Sequence, residues 1–167
     1  ESEFLEPFIK DGQLEALIIV GSPDPHGPDK ARSRDGYYGM DLALFLGTFL
    51  NYVPKFNVKL DTEVREEDFN NNLILIGGPL VNKVVEKVNS KLQIRFENGN
   101  IKSAISNETY PQDECGLIVK AKSPFNKDRS ILVVAGKRFS VTRAAIIAFL
   151  KDFKKITNGN IHNPSVK

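Results

Sequence analysis

The sequence predicts a mixed α/β domain in which helices cover a sheet of buried strands. Short apolar runs rich in β-branched residues occupy residues 14–20, 73–76 and 130–135, and their length favours buried strands over helices. Segments with a helical spacing of apolar residues lie between them, and Asn98-Gly99 is typical of a tight hairpin turn. This alternation favours a layered Rossmann-like fold with a mainly parallel sheet and antiparallel hairpin additions, because buried parallel strands need helices on both faces.

The first helix is predicted over residues 37–52. Met40, Leu44 and Gly47 recur at helical spacing and lie on one stripe. Asp35 stands just before this segment and is a candidate N-cap, because a carboxylate at that position accepts hydrogen bonds from the free N–H groups of the first turn.

The other elements follow from the same signals of periodicity and turn residues. They are a strand over 56–60, a helix over 80–88, a hairpin of 92–96 with 101–105, a hairpin of 116–121 with 130–135, and a helix over 141–153. Six strand residues are predicted to lie in the core: Leu17, Ile19, Ile74, Ile76, Leu132 and Val134. The length favours a single domain over residues 1–157, followed by a polar C-terminal tail over 158–167.

Composition argues against two classes of partner. The chain has 167 residues, with 23 Lys and Arg against 21 Asp and Glu, so its formal charge is only +2. We therefore expect no direct binding of nucleic acid by this domain. No apolar stretch reaches the roughly 18 residues that a membrane span requires. The single Cys115 fits a reducing compartment, so we expect a cytoplasmic location, with the cell envelope as the alternative if a signal peptide precedes the chain.

A long polar loop separates the first strand from the first helix. Residues 21–36 contain three prolines, His26, Arg32 and Arg34. A connection between a strand and a helix usually takes about two to six residues, and longer loops are more often functional. This loop is therefore the first candidate for a binding site.

Ligands of open α/β sheets bind outside the carboxyl ends of the strands, where this loop is expected to meet two others. Those are Gly77-Gly78-Pro79 and residues 136–140, whose glycines permit close backbone approach near helix N-termini that favour anions. We predict a site for a small anionic ligand or a protein partner there. Its residues are Ser22, His26, Arg32, Arg34, Asp35, Gly77, Gly78 and Gly136.

Two interpretations stay open for the charged residues of the loop. His26 is either an acid, base or ligand group flanked by Asp24 and Asp29, or a histidine that bonds to the backbone between prolines. Arg32 and Arg34, with Asp35 holding one guanidinium in place, either clamp a carboxylate or phosphate, or form a surface cluster of ion pairs.

No complete catalytic motif is present. The sequence lacks a dinucleotide fingerprint, a P-loop and a Gly-x-Ser-x-Gly elbow, so catalytic residues stay unassigned and no cofactor is expected. His26, Cys115 and His162 lie too far apart in sequence to propose a metal site. We expect a protein that is not an enzyme.

Three strings of the second half carry a resemblance. They are NLILIGGPLVNKVVEKVN over 72–89, GLIVKAKSPFNKDRSILVVAGK over 116–137 and TRAAI over 142–146. The combination of Gly-Gly-Pro-x-x-Asn, a strand ending in Ala-Gly and a helix starting Thr-Arg-Ala-Ala resembles the C-terminal region of the archaeal S-layer-like family. The resemblance implies the type of domain and leaves its role open.

Three hypotheses for the function follow. The first is a non-catalytic domain for ligand sensing or protein interaction in an archaeal S-layer-like protein, including the case of a C-terminal domain in a larger regulatory protein. The alternative, which the family name implies, is a structural cell-envelope domain. A weaker alternative is a hydrolase or transferase that uses His26 with Asp24 or Asp35. The oligomeric state is left open.

Overall fold

The computed structural model describes residues 2–159. Its helices are short, with the exception of two that have 13 residues each. The helices are α1 (Ser2–Leu5), α2 (Asp35–Gly47), α3 (Lys83–Asn89), α4 (Phe139–Lys151) and α5 (Phe153–Thr157). The strands are β1 (Ile9–Lys10), β2 (Gln13–Leu14), β3 (Ala16–Val20), β4 (Val58–Leu60), β5 (Asn72–Ile76), β6 (Ile94–Glu97), β7 (Asn100–Ser103), β8 (Glu108–Tyr110), β9 (Gly116–Lys122) and β10 (Ser130–Gly136).

A five-stranded mixed sheet forms the centre of the molecule. Its strand order is β4-β3-β5-β10-β9, and only β9 runs antiparallel to its neighbour. β5 and β10 are buried along their whole length, as expected for apolar strands with both faces covered. The carboxyl ends of β3, β4, β5 and β10 therefore meet at one edge, which we call the carboxyl edge.

The two faces of this sheet carry separate cores. On one face, α1, α2, α4 and α5 pack against residues such as Ile18, Ile74 and Leu132. On the other, α3 and β7 pack against Leu73, Leu75 and their neighbours. We call these the α2 face and the α3 face.

The prediction of a layered Rossmann-like fold is wrong. Half of the ten strands in the described residues lie outside the central sheet, in the antiparallel sheets β1-β2 and β6-β7-β8. The α3 face is covered by one seven-residue helix together with β-structure, including the buried Ile101 of β7. An apolar strand has the same sequence pattern whether helices or strands cover it, so the pattern could not distinguish the two cases. The fold is a mixed, β-rich α/β domain.

Local turn signals were reliable. Asn98 and Gly99 both have positive φ, at 51° and 76°, and Glu97 pairs with Asn100 across them. This two-residue loop suits the twist of a hairpin, so the prediction from Asn-Gly is confirmed. The predicted pairing of β9 with β10 is confirmed as well.

The predicted core is confirmed except at one position. Ile19, Ile74, Ile76, Leu132 and Val134 are buried. Leu17 is only partly buried and packs at the margin of the core on the α3 face. The predicted C-terminal tail lies outside the described residues from position 160 onward, and the single-domain organisation stays a prediction.

The predicted first helix is confirmed as α2, although it ends at Gly47 rather than at residue 52 and its exposed side was not expected. Leu42 and Leu46 are buried against the sheet, whereas Met40 and Leu44 are 62% and 73% exposed. Apolar residues thus occupy both sides of α2. Within the described residues, no helix is long and apolar enough to cross a membrane.

Candidate functional site

The carboxyl edge brings the predicted loops together. The backbone N–H of Ser33 donates to the carbonyl of Ser22 at 2.9 Å, which closes the base of the long loop. A Cβ at Gly21 would lie 2.1 Å from the carbonyl oxygen of Val81, in the loop that begins with Gly77. The prediction that these two loops lie side by side is therefore confirmed.

His26 is held by acceptors on both ring nitrogens. Its Nδ1 lies 2.8 Å from the carbonyl oxygen of Asp24, and its Nε2 lies 2.9 Å from Oδ2 of Asp61 and 3.2 Å from the carbonyl oxygen of Val81. An imidazole can donate from both nitrogens only when it is protonated. The geometry therefore favours the charged form of His26.

The electrostatic surroundings point the same way. The hydrogen bond to the Asp24 carbonyl raises the pKa of His26 above 6.5, and the charge of Asp61 adds to this effect. Burial opposes it by disfavouring the charged imidazolium. The side chain of Asp61 is fully buried and that of His26 is 9% exposed, so the pair is largely shielded from solvent.

Asp61 is the main residue that the sequence did not reveal. Its Oδ1 accepts from the backbone N–H of Ser22 and its Oδ2 from that of Lys83, both at 2.8 Å. One buried carboxylate thus joins the end of β4 to the long loop and to the start of α3. Its position directly after a predicted strand was the available signal, because polar residues at that point face the carboxyl edge.

Asp35 lies inside the protein and does not hold an arginine. α2 begins at Asp35 itself and its N-cap residue is Arg34, so the predicted capping role of Asp35 is wrong by one position. Asp35 is 3% exposed, and its Oδ2 accepts from the Ser33 hydroxyl at 3.2 Å. Burial raises its pKa, while the hydroxyls of Thr142 and Ser33 act in the opposite direction.

The remaining polar site residues point in different directions. Ser22 is buried, and its hydroxyl accepts from the backbone N–H of Asp24 at 3.2 Å. Arg32 and Arg34 are exposed, and the guanidinium of Arg34 lies 5.3 Å from the ring centre of Phe139. Arg34 and Asp35 therefore do not share one space. Whether any of these residues binds a ligand stays a prediction.

The three predicted glycines of the site face other parts of the chain. A Cβ at Gly77, whose φ is +103°, would lie 2.8 Å from Oδ2 of Asp35. At Gly78 it would lie 3.1 Å from the carbonyl oxygen of Gly136, and at Gly136 it would lie 2.5 Å from the backbone nitrogen of Thr142. Glycine is required at Gly136, where a Cβ would collide with backbone, and is favoured at Gly77 by its positive φ, whereas the contact at Gly78 is only tight.

The side chain of Asn82 joins β3, β5 and α3 at the carboxyl edge by hydrogen bonds. Its Oδ1 accepts from the backbone N–H groups of Val84 and Val85, at 3.0 and 3.3 Å, and so caps α3. Its Nδ2 donates to the carbonyls of Ile19 and Ile76, at 3.1 and 3.0 Å. The side chain is fully buried, and this residue is the Asn of the Gly-Gly-Pro-x-x-Asn string.

Thr142 has a similar role at the end of β10. Its hydroxyl oxygen accepts from the backbone N–H of Gly136 at 3.0 Å and lies 3.4 Å from the carbonyl oxygen of Arg138. The end of β10 and the first turn of α4 are thereby joined. Two of the three motifs that prompted the family resemblance thus contribute a side chain, Asn82 and Thr142, that bonds to the main chain of neighbouring elements.

Metal-binding geometry is not found in this part of the chain. Among residues 2–159, no group of three or more His, Cys, Asp or Glu side chains is arranged to hold a metal ion.

Comparison with known proteins identifies the family. The model described as S-layer like family, outer domain, matches residues 51–153. The chain belongs to the S-layer like family. The matched range contains all three strings on which the resemblance was based, so that prediction is confirmed.

A curated archaeal relative agrees with this assignment. The chain is 40% identical over 84 residues to an uncharacterized protein of Methanocaldococcus jannaschii. The match covers 50% of the chain and 17% of the relative, so the chain spans a small part of that protein's length. β3 and α2 precede the matched outer-domain range, yet β3 pairs with both β4 and β5 inside it.

Proposed function

We propose that this chain is a non-catalytic structural domain of a cell-envelope surface layer. The observation that carries the proposal is the use of the family motif residues. Asn82 and Thr142 bond to the main chain of neighbouring elements and are buried. Motif side chains that hold the backbone together support a mechanical role, because a binding or catalytic motif would present its polar atoms to a ligand.

The occupied carboxyl edge also supports this proposal. The carboxyl of Asp35 takes the space beside Gly77, so a ligand could not approach that glycine without displacing this buried side chain. Both ring nitrogens of His26 are engaged by acceptors, which leaves neither available as a base. The weaker hypothesis of a hydrolase or transferase gains no support from this arrangement.

The location of the complete protein in its native cells tests the proposal. Intact cells are treated with a membrane-impermeant amine reagent, which labels exposed lysines such as Lys127 and Lys151. We expect labelling of this domain in intact cells at the level seen after lysis, with an abundant cytoplasmic enzyme as the unlabelled control. Labelling that requires lysis would place the domain inside the cell and overturn the proposal.

Anion sensing is the second candidate, and it has one observation in its favour. In the described residues, neither Arg32 nor Arg34 lies within 4.0 Å of a carboxylate oxygen. Calorimetry with inorganic phosphate, a nucleotide and a dicarboxylate tests this candidate. Under it, Arg34→Ala weakens binding by about 1.5 to 3 kcal/mol and leaves the melting temperature nearly unchanged. Absence of saturable binding to the parent chain would rule out anion sensing.

A further inference from the structure

The outer side of α2 is an unusually apolar surface. Tyr37, Met40 and Leu44 recur at spacings of three and four residues, and they are 76%, 62% and 73% exposed. A surface helix normally places charged or polar residues on that side. Between residues 37 and 44, Asp41 is the one charged residue. An exposed apolar stripe of this kind is typical of a surface that meets another protein.

An arginine–aromatic cluster continues this surface onto the start of α4. We use that name for Arg34, Tyr38, Phe139 and Arg143. The rings of Tyr38 and Phe139 stack with 6.1 Å between centres, and the guanidinium groups of Arg34 and Arg143 lie 5.3 Å from the ring centres of Phe139 and Tyr38.

The charges of this cluster are not neutralised within the described residues. Neither Arg34 nor Arg143 has a carboxylate oxygen within 4.0 Å there. Arginine and tyrosine are enriched among the residues that dominate protein interfaces, and a planar guanidinium matches a carboxylate. The cluster is therefore suited to a partner surface that presents carboxylates.

The chain itself presents such a surface. Glu63, Glu66 and Glu67 are exposed and lie close together in sequence. Arg65 is the one basic residue among them, and it approaches Glu67 only at 4.0 Å with both side chains more than 70% exposed, so this pair is weak. We call these three glutamates the acidic segment.

The acidic segment lies on the opposite side of the molecule from the cluster. Phe69 lies in the same 3₁₀ helix (Glu66–Asn70) as Glu66 and Glu67 and packs into the core of the α3 face. Tyr38, by contrast, packs on the core of the α2 face. The two complementary surfaces therefore lie on opposite faces of the central sheet, and one copy cannot bring them together by itself.

We propose that the arginine–aromatic cluster of one copy binds the acidic segment of a second copy. The contact uses different surfaces on the two partners, so it is head-to-tail, and such contacts form rings or open chains. This inference rests on the proposed structural function and names the partner of the domain. A two-fold dimer would need a self-complementary patch, which a cluster with two guanidinium groups does not provide.

Sedimentation velocity of the 167-residue chain over a concentration series tests the contact. The parent chain is expected to form assemblies that grow with concentration and dissociate as ionic strength rises. Two double variants are compared with it, Arg34→Gln with Arg143→Gln and Glu66→Gln with Glu67→Gln. Each is expected to weaken association by about tenfold or more. The charge-matched controls are Lys127→Gln with Lys151→Gln and Glu6→Gln with Glu114→Gln, all at exposed positions, and they are expected to behave as the parent.

Mixing the two double variants distinguishes a head-to-tail contact from a symmetric one. Each variant keeps one intact surface, so an equimolar mixture is expected to form 1:1 dimers that do not grow further. Self-association of the Glu66 and Glu67 variant alone would show that the cluster binds another surface and would overturn the inference. A parent chain that stays monomeric at every concentration would overturn the inference as well. This measurement and its salt dependence use the parent chain alone, so they do not depend on whether a variant folds. The labelling of intact cells does not depend on self-association. A failure of the proposed function can therefore be distinguished from a failure of this contact.

Discussion

His26 and Asp61 form a shielded ion pair at the carboxyl edge, with 2.9 Å between Nε2 and Oδ2. The pair joins the long loop to the end of β4. It also brings together a histidine that the sequence singled out and an aspartate that it did not.

The first prediction is a loss of stability as pH rises through the pKa of His26. Hydrogen bonding to the Asp24 carbonyl, together with Asp61, raises the pKa of His26 above its value in the unfolded chain. The stabilisation is therefore fully present below about pH 6.5 and is lost as pH rises through the higher folded pKa. Urea unfolding at a series of pH values should show this fall for the parent and not for His26→Gln. Asp35 titrates in both proteins, so the difference between them isolates His26.

Asp61→Asn provides the control for that prediction. The amide keeps one of the two oxygens that accept from the backbone N–H groups of Ser22 and Lys83, and it removes the charge that contributes to the raised pKa of His26. Titration of the ring by nuclear magnetic resonance should then give a lower pKa than in the parent. An unchanged pKa would mean that the pair has no electrostatic effect.

The second prediction concerns Gly77, where a side chain would collide with Asp35. Gly77 and Gly99 both have positive φ, but nothing lies within 4 Å of a Cβ at Gly99. Gly99→Ala should therefore lower the free energy of unfolding by only about 1 kcal/mol, the cost of the left-handed conformation. Gly77→Ala should lower it by clearly more, because the added methyl also meets a buried carboxyl. Equal losses in a denaturant titration would show that Asp35 moves aside freely.

The third prediction separates the core of the sheet from the exposed side of α2. Ile74 is fully buried, so Ile74→Ala should lower the free energy of unfolding by about 2 to 5 kcal/mol. Leu44→Ala, at a site that is 73% exposed, should change it by less than about 0.5 kcal/mol. A large loss at Leu44 in urea titrations would indicate that this side chain is covered within the monomer.

Signals that act over a few residues were sufficient for part of this fold. Asn98-Gly99 predicts its hairpin because the turn depends on the φ angles of two adjacent residues. The apolar runs of β5 and β10 predict buried strands because their composition alone requires burial.

The contacts that define the site depend on residues far apart in sequence. Asp61 bonds to Ser22 across 39 positions, and Asn82 bonds to Ile19 across 63. No local pattern specifies which backbone group a buried Asp or Asn will meet. The α2 helix shows a second limit, because apolar residues on both sides give no indication of which side faces the sheet.

The effect of Asn82→Ala on stability is the most direct measurement of the claim that the motif residues hold the chain together. The change removes the cap of α3 and leaves the carbonyls of Ile19 and Ile76 without their donor. We expect the free energy of unfolding to fall by about 2 to 4 kcal/mol, from the lost cap and the unsatisfied buried groups. Arg34→Ala, in the exposed part of the loop, should change it by less than about 0.5 kcal/mol. A loss below about 0.5 kcal/mol for Asn82→Ala would contradict the account.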